Sequence, residues 1–145
     1  MRRFVFPLDA ALRQRLLREE AAKKELALAL RGLNLCHDRL RVKEAELAAA
    51  LDAPSSPPDA ASFSLARAWI DVLRREHGAI LHELGQHQKK VEIRQKELAA
   101  ASREREALTR LKDRRHGEWL REGLAQEQAA TDEVALQVVR RAHHG

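Results

Sequence analysis

The sequence predicts an all-α fold, namely an antiparallel two-helix coiled-coil hairpin with arms of unequal length. All four prolines, which interrupt helices, lie at position 7 or inside the short segment 53–59. Charged residues make up 34% of the chain and aromatic residues only 3%, a composition typical of long helices and coiled coils rather than of a globular core. Leucines also recur at the alternating three- and four-residue spacing of a heptad seam.

Helix one is expected at about residues 5–52. Pro7 has a fixed φ suited to a helix start, and Asp9 places a carboxylate near the positive end of the helix dipole. Upstream, Glu19 and Lys23 fall on the expected seam and weaken it. The seam itself is predicted at Leu26, Leu30, Leu33, His37, Leu40, Glu44, Leu47 and Leu51.

Residues 53–63 are expected to form the corner, and helix two is expected at about residues 64–142. Ser62 or Ser64 would cap the start of this helix, because serine side chains accept hydrogen bonds from free backbone N–H groups there. The whole chain, residues 1–145, is therefore predicted to be one coiled-coil domain.

Helix two carries the second half of the seam. Leu108 and Leu111 suggest a change of phase, so a slip of register is expected between residues 101 and 111. The predicted seam positions before the slip are Ile70, Leu73, His77, Ile80, Leu84, His87, Val91, Arg94, Leu98 and Ala101.

The two arms differ in length, and this difference connects fold to function. At a rise of ~1.5 Å per residue, helix one spans roughly 70 Å and helix two roughly 115 Å. Helix one would therefore pair with helix two only as far as about residue 110, which leaves residues 111–142 without an intramolecular partner. Because that segment contains apolar residues, an external partner is expected. The apolar residues are Leu111, Leu120, Leu124, Val134 and Val138.

Composition disfavours several classes of function. The net charge of +5 is spread along the chain, whereas phosphate binding uses concentrated basic tracts, so no nucleic-acid partner is expected. The single cysteine, Cys36, excludes an internal disulfide and indicates a reducing, cytoplasmic setting. No apolar run approaches the ~20 residues that span a bilayer, so direct membrane insertion is not expected.

No catalytic or metal-binding motif emerges from the sequence. His77, His82 and His87 are spaced by five residues, so neighbouring rings diverge by about 140° around a helix and cannot share one metal ion. Glu83 follows His82 without completing a His-Glu-x-x-His motif, and phosphate-binding or nucleophile-elbow patterns are missing. We therefore expect no enzyme activity, no cofactor and no metal.

Three short motifs carry a family resemblance. They are Arg3-Phe4-Val5-Phe6-Pro7-Leu8 at the start, Ala68-Trp69-Ile70 after the corner, and Leu108-x-x-Leu111-Lys112-Asp113-Arg114-Arg115 followed by Glu127-Gln128 and Asp132-Glu133. In all three, and over essentially its whole length, the chain resembles the FliJ family of flagellar type III export proteins. The resemblance implies a coiled-coil hairpin similar to the stalk-like gamma subunit of rotary ATP synthases.

The resemblance also implies a role and partners. FliJ proteins are non-enzymatic and sit at the centre of the hexameric export ATPase FliI, at the cytoplasmic face of the inner membrane at the flagellar base. They contact the cytoplasmic domain of the export gate protein FlhA and assist the cycling of export chaperones. The expected function is thus to couple the ATPase ring to the export gate.

Site residues follow from matching the motifs position by position. Contact with the ATPase ring is expected at Phe4, Phe6, Leu8, Glu127, Asp132 and Glu133. The family's gate-binding apolar stripe has no clear counterpart, because residues 74–78 are polar. Its nearest candidates are Trp69, Leu73, Ile80 and Leu84, of which the last three are also seam positions.

Structural alternatives accompany these assignments. Phe4 and Phe6 could instead staple the helix start onto helix two, Trp69 could pack at the corner, and the acidic residues could form a solvated face. At the level of function, the alternatives are a YscO-class stalk of a virulence injectisome, a structural homo-oligomer and a nucleic-acid-binding coiled coil.

Overall fold

The structure, a computed structural model, describes residues 2–52 and 59–144. These residues form two helices, α1 (Asp9–Leu51) and α2 (Ala60–His144), and contain no strand. The helices pack against each other, so the predicted all-α helical hairpin is confirmed. Most of the expected corner, residues 53–58, lies outside the described residues.

The helix starts depend on acidic residues. The Asp9 N–H donates to the Phe6 carbonyl at 3.1 Å, and α1 begins at this residue, four residues after the expected start at about residue 5. Helix α2 begins four residues before the expected position, and the prediction of Ser62 or Ser64 as its cap is wrong. The carboxylate of Asp59 takes that role, accepting the Ser62 N–H at 2.7 Å. Hydrogen bonding from Ser62, first its side chain and then its backbone, lowers the pKa of Asp59.

Two groups of residues are each internally packed. One group, here the middle unit, consists of residues 18–101. The other, the terminal unit, consists of the described residues among 1–17 and 102–145. Each unit contains a segment of both helices.

In the middle unit, half of the predicted α1 seam is confirmed and half is wrong. Leu26, Leu33, Leu40 and Leu47 face α2, but Leu30 and Leu51 are exposed, as are His37 and Glu44. The alternate seam position lies one residue earlier. It is filled by Ala29, Cys36, Lys43 and Ala50, which are mostly small residues and so do not stand out in a pattern of leucines.

All ten predicted seam positions of α2 in the middle unit are buried or partly buried. Leu73 is completely buried, and Ile80 and Leu84 pack with Cys36 of α1 in the core. The Cys36 thiol donates to the Ile80 carbonyl at 3.7 Å, which satisfies the one buried polar hydrogen that this side chain carries.

Ion pairs across the helices show the antiparallel register of the middle unit. Late residues of α1 pair with early residues of α2, and the reverse. The ion pairs are Lys43–Glu76 (2.5 Å), Arg39–Glu83 (2.8 Å) and Glu25–Arg94 (3.7 Å). In the same register, His77 Nε2 lies 3.3 Å from a carboxylate oxygen of Glu44. Exposed pairs contribute only about 0–1 kcal/mol each, so they specify register more than they add stability.

The expected slip of register in α2 is not needed. Partial burial continues at Arg105, Leu108 and Lys112 with the same four- and three-residue spacing that precedes it. Leu108 lies seven residues after Ala101, one full heptad, and is therefore in phase with the seam. Leu111 is partly buried beside that line.

Candidate partner-binding surfaces

The N-terminal residues of the terminal unit pack on α2 in a non-helical conformation. The Phe4 ring meets His116 edge-to-face with centroids 4.8 Å apart and lies 5.9 Å from Trp119. Phe6 is buried. Such aromatic pairs contribute about 0.5–1.5 kcal/mol beyond area burial. The stapling of Phe4 and Phe6 onto α2 is therefore observed, whereas Leu8 remains largely exposed.

Two ion pairs hold α1 against α2 in the same unit. Lys112 donates to Asp9 at 2.8 Å, and Arg15 donates to Glu104 at 2.7 Å. The hydrogen bond from Lys112 is the main cause that lowers the pKa of the Asp9 carboxyl. Helix pairing thus extends to Lys112, close to the limit that helix lengths predicted.

The uncovered part of α2 begins later than predicted, at Leu120 rather than at residue 111. Residues 2–8 lie alongside residues 111–122 and line a groove of about 570 Å³ with them. A non-helical chain can span ~3.3 Å per residue against ~1.5 Å in a helix. The short N-terminal segment therefore covers more of α2 than another helical turn would.

Residues 120–144, here called the C-terminal arm, are helical and exposed along their whole length. Glu127, Asp132 and Glu133 lie on it, and within the described part of the chain they form no ion pair. The large exposed apolar side chains of the arm are Leu120, Leu124, Val134, Leu136, Val138 and Val139. Most helical stability in proteins comes from packing of an apolar face, so this uncovered end of α2 would gain stability when a partner covers it.

A second exposed apolar surface lies at the start of α2 in the middle unit. Leu65 and Trp69, here called the corner patch, lie one turn apart on one face of α2, and both are more than half exposed. Phe63 is also more than half exposed, but it lies about 160° away from Leu65 around the helix. The alternative that Trp69 packs at the corner stays a prediction, because residues 53–58 lie outside the described residues. Sequence reasoning missed Phe63 and Leu65. Phe63 lies one heptad before Ile70 and so continues the predicted seam line, whereas Leu65 lies off that line.

Three of the four candidate gate-binding residues do not form a surface. Leu73, Ile80 and Leu84 are exposed by only 0%, 6% and 9% and belong to the core between the helices. Their heptad positions explain this, because core side chains point at the opposite helix. Trp69 alone of the four is available to a partner.

A cluster of metal-ligating side chains is missing from the part of the chain that the structure describes. No three His, Cys, Asp or Glu side chains there could together hold a metal ion. Neither α1 nor α2 offers a stretch long and apolar enough to cross a bilayer. What the described surface offers a partner is exposed apolar and charged side chains on helices.

This combination defines a class of protein: a coiled-coil hairpin that presents helical surfaces for binding to other proteins. A comparison with protein-family models narrows the class, since the model described as "Flagellar FliJ protein" matches residues 4–144. The chain therefore belongs to the FliJ family, and it is a component of the flagellar type III export apparatus. Searches of curated proteins and of solved structures gave no match.

Proposed function

We propose that this protein is the stalk that couples the hexameric export ATPase to the export gate. The C-terminal arm inserts into the ATPase ring and biases the hexamer or its nucleotide cycle. Surfaces nearer the corner contact the cytoplasmic domain of the gate, in the cytoplasm at the flagellar base. The protein also assists the cycling of export chaperones, a role that rests on family membership.

The observation that carries this proposal is the bare C-terminal arm. Its large apolar side chains are exposed, and fully burying one such residue is worth about 1.5–3 kcal/mol. Val134 and Val138 lie one turn apart and so share a face of the arm. A ring of subunits around the arm could cover several faces at once.

Charge adds specificity to the arm. Glu127, Asp132 and Glu133 are exposed carboxylates that would meet basic residues of the ATPase ring. Complementary charge raises the rate of encounter and fixes register more than it raises affinity. Phe4 and Phe6 have a supporting role, because they fix the N-terminal segment on α2 immediately before the arm.

The corner patch is the proposed gate-binding surface. Trp69 is the residue type most often found at the energetic centre of protein interfaces, and Leu65, one turn earlier on the same face, extends its apolar area. A partner that covers these side chains would bind through a hydrophobic centre with a polar rim, as stable interfaces do.

The ATPase proposal is tested by adding the full chain to the purified cognate export ATPase and measuring ATP hydrolysis and co-elution. Val134→Asp/Val138→Asp should abolish both stimulation and binding. Ala125→Asp/Ala129→Asp adds the same charge to the opposite face of the arm and should weaken them less. Loss of the whole arm without any effect on hydrolysis or binding would contradict the proposal.

The gate proposal is tested separately with the purified cytoplasmic domain of the gate protein. Trp69→Ala/Leu65→Ala should weaken binding by at least tenfold, with unchanged thermal stability, because both side chains are exposed. Arg67→Ala replaces an exposed side chain outside the patch and serves as the control. Equal binding by all three proteins would exclude the corner patch.

A further inference from the structure

The middle unit has a second apolar face that the coiled-coil seam does not use. Residues spaced by seven lie along one line of a coiled coil. Two such lines contain only one polar residue, Gln86. The line on α1 is Ala21, Leu28, Leu35, Val42 and Ala49, and the line on α2 is Val72, Ala79, Gln86, Ile93 and Ala100. Together they are here called the side face.

The two lines lie on the same side of the hairpin. Leu35 and Val42 from α1 line one groove of about 670 Å³ together with Ala79 and Ile80 from α2. The ion pair Arg39–Glu83 crosses the helices within this groove. Leu28, Leu35 and Val42 are each 59% exposed, and Ile93 is 55% exposed. The groove is therefore an open channel whose apolar residues alternate with charged ones. The charged lining residues are Asp38, Arg39, Lys43, Glu46, Glu76 and Glu83.

The opposite side of the same hairpin differs. The corresponding lines there are Glu20, Ala27, Asn34, Arg41 and Ala48 on α1, and Asp71, Gly78, Gly85, Glu92 and Ala99 on α2. None of these ten residues is a large apolar one. On that side the large exposed apolar residues, Leu30, Leu51 and Leu81, lie next to the seam and not on the outer lines. Only the side face carries large apolar residues on its outer lines, and an exposed apolar surface of this kind is typical of an interaction site.

Cations flank the side face. The lines just outside it are Lys24, Arg31, Asp38 and Ala45 on α1, and Arg75, His82, Lys89 and Lys96 on α2, with five cations against one carboxylate. Among the described residues, Lys24, Arg31 and Lys89 form no ion pair. By contrast, three carboxylates that line the groove are already paired with cations. Glu83 pairs with Arg39, and Glu46 and Glu76 pair with Lys43.

We propose that the side face binds an amphipathic helix of another protein, apolar on one stripe and acidic on both flanks, to form a local three-helix bundle. Its apolar stripe would lie over Leu35 and Val42, and its carboxylates would meet Lys24, Arg31 and Lys89. Helix-in-groove recognition uses this arrangement of anchors at i, i+3, i+4 and i+7. A second copy of this chain fits less well, because its own basic flanks would face those of the first.

The test uses two synthetic helical peptides of about 21 residues, which share one leucine stripe and carry either glutamate or lysine on the flanks. Fluorescence anisotropy with the full chain should show binding of the glutamate peptide at least tenfold tighter. The difference should shrink as salt concentration rises, because the flanking charges are exposed. Failure of both peptides to bind, or equal affinity for the two, would overturn the proposal.

Variants locate the site. Leu35→Glu/Val42→Glu should weaken binding of the glutamate peptide by at least tenfold, and Arg31→Glu should weaken it while improving binding of the lysine peptide. Ala27→Glu/Ala48→Glu adds the same charges on the opposite side and should have little effect; circular dichroism checks the folding of each variant. An equal loss in this control pair would contradict the assigned face. Light scattering that shows a dimer abolished by Leu35→Glu/Val42→Glu would identify a second copy as the occupant instead.

Discussion

Gly32 is the position where the two helices approach most tightly around a glycine. A Cβ added there would lie 3.1 Å from His87 Nδ1 and 3.2 Å from Cε1. A Cβ added at Gly78 would meet no heavy atom within 4 Å. Both glycines are inside helices, where replacement by alanine gains about 1 kcal/mol of helix propensity. Gly78→Ala should therefore raise the free energy of unfolding by about that amount.

At Gly32 the same gain is opposed by a steric cost. The His87 ring must move by a few tenths of an ångström to reach ordinary contact, and an off-rotamer side chain costs about 0.5–1.5 kcal/mol. The two effects are similar in size, so Gly32→Ala should leave the free energy of unfolding nearly unchanged. In a His87→Ala background the clash is gone, and the same substitution should then stabilise by about 1 kcal/mol.

Urea denaturation followed by circular dichroism at 222 nm measures these differences as a double-mutant cycle. The imidazole of His87, and not the backbone of α2, limits the space at Gly32. If Gly32→Ala stabilises the wild-type chain as strongly as Gly78→Ala does, then His87 moves aside without cost and the reasoning is refuted. If it destabilises equally with and without His87, the obstacle is elsewhere.

Two further predictions concern the seam and the terminal unit. Leu73→Ala should lower the free energy of unfolding by about 2–5 kcal/mol, because the Leu73 side chain is fully buried. Leu65 is 77% exposed, so Leu65→Ala should change the free energy of unfolding by less than about 0.5 kcal/mol. Thermal melts of the two variants and the wild-type chain measure the difference. The pKa of Asp9 is lowered in the folded state by Lys112, so its stabilising effect is present above the ordinary carboxyl pKa and is lost as pH falls through the lowered value. Asp9→Asn should remove that part of the acid dependence in pH-jump unfolding.

The seam shows what a single sequence can and cannot predict. Helix α2 was predicted position by position, because Leu, Ile and Val occupy most of its core positions. In α1 the alternate core positions are occupied by Ala29, Cys36 and Lys43, which a search for large apolar residues does not detect. The neighbouring Leu30 matched the leucine pattern and was therefore wrongly assigned to the core. Which of two adjacent residues faces the partner helix depends on pairing across the hairpin, and that information is not local.

The candidate surfaces were predictable to different degrees. The unequal lengths of the two predicted helices were enough to predict an uncovered C-terminal segment. This segment begins at residue 120 and not at residue 111, because residues 2–8 pack on α2 in a non-helical conformation. For Phe4 the sequence left two alternatives open, contact with a partner or packing onto α2, and the packing is observed. The corner patch could have been found from Leu65 and Trp69, two large apolar residues that lie one turn apart and outside the predicted seam positions.

A two-helix hairpin separates folding from binding residue by residue, and this explains how its exposed apolar side chains can serve partners. Only one line of contact runs between two helices, so a side chain either faces that line, like Leu73, or contributes little to folding, like Leu65 or Leu35. In a globular core, a residue used for binding often also supports packing. Here, substitution of Leu35 or Val138 should leave the fold stable, because both side chains are exposed. A loss of partner binding in such a variant would therefore be caused by the changed surface and not by unfolding. Separate surfaces on one hairpin can therefore be tested, and lost, independently of each other.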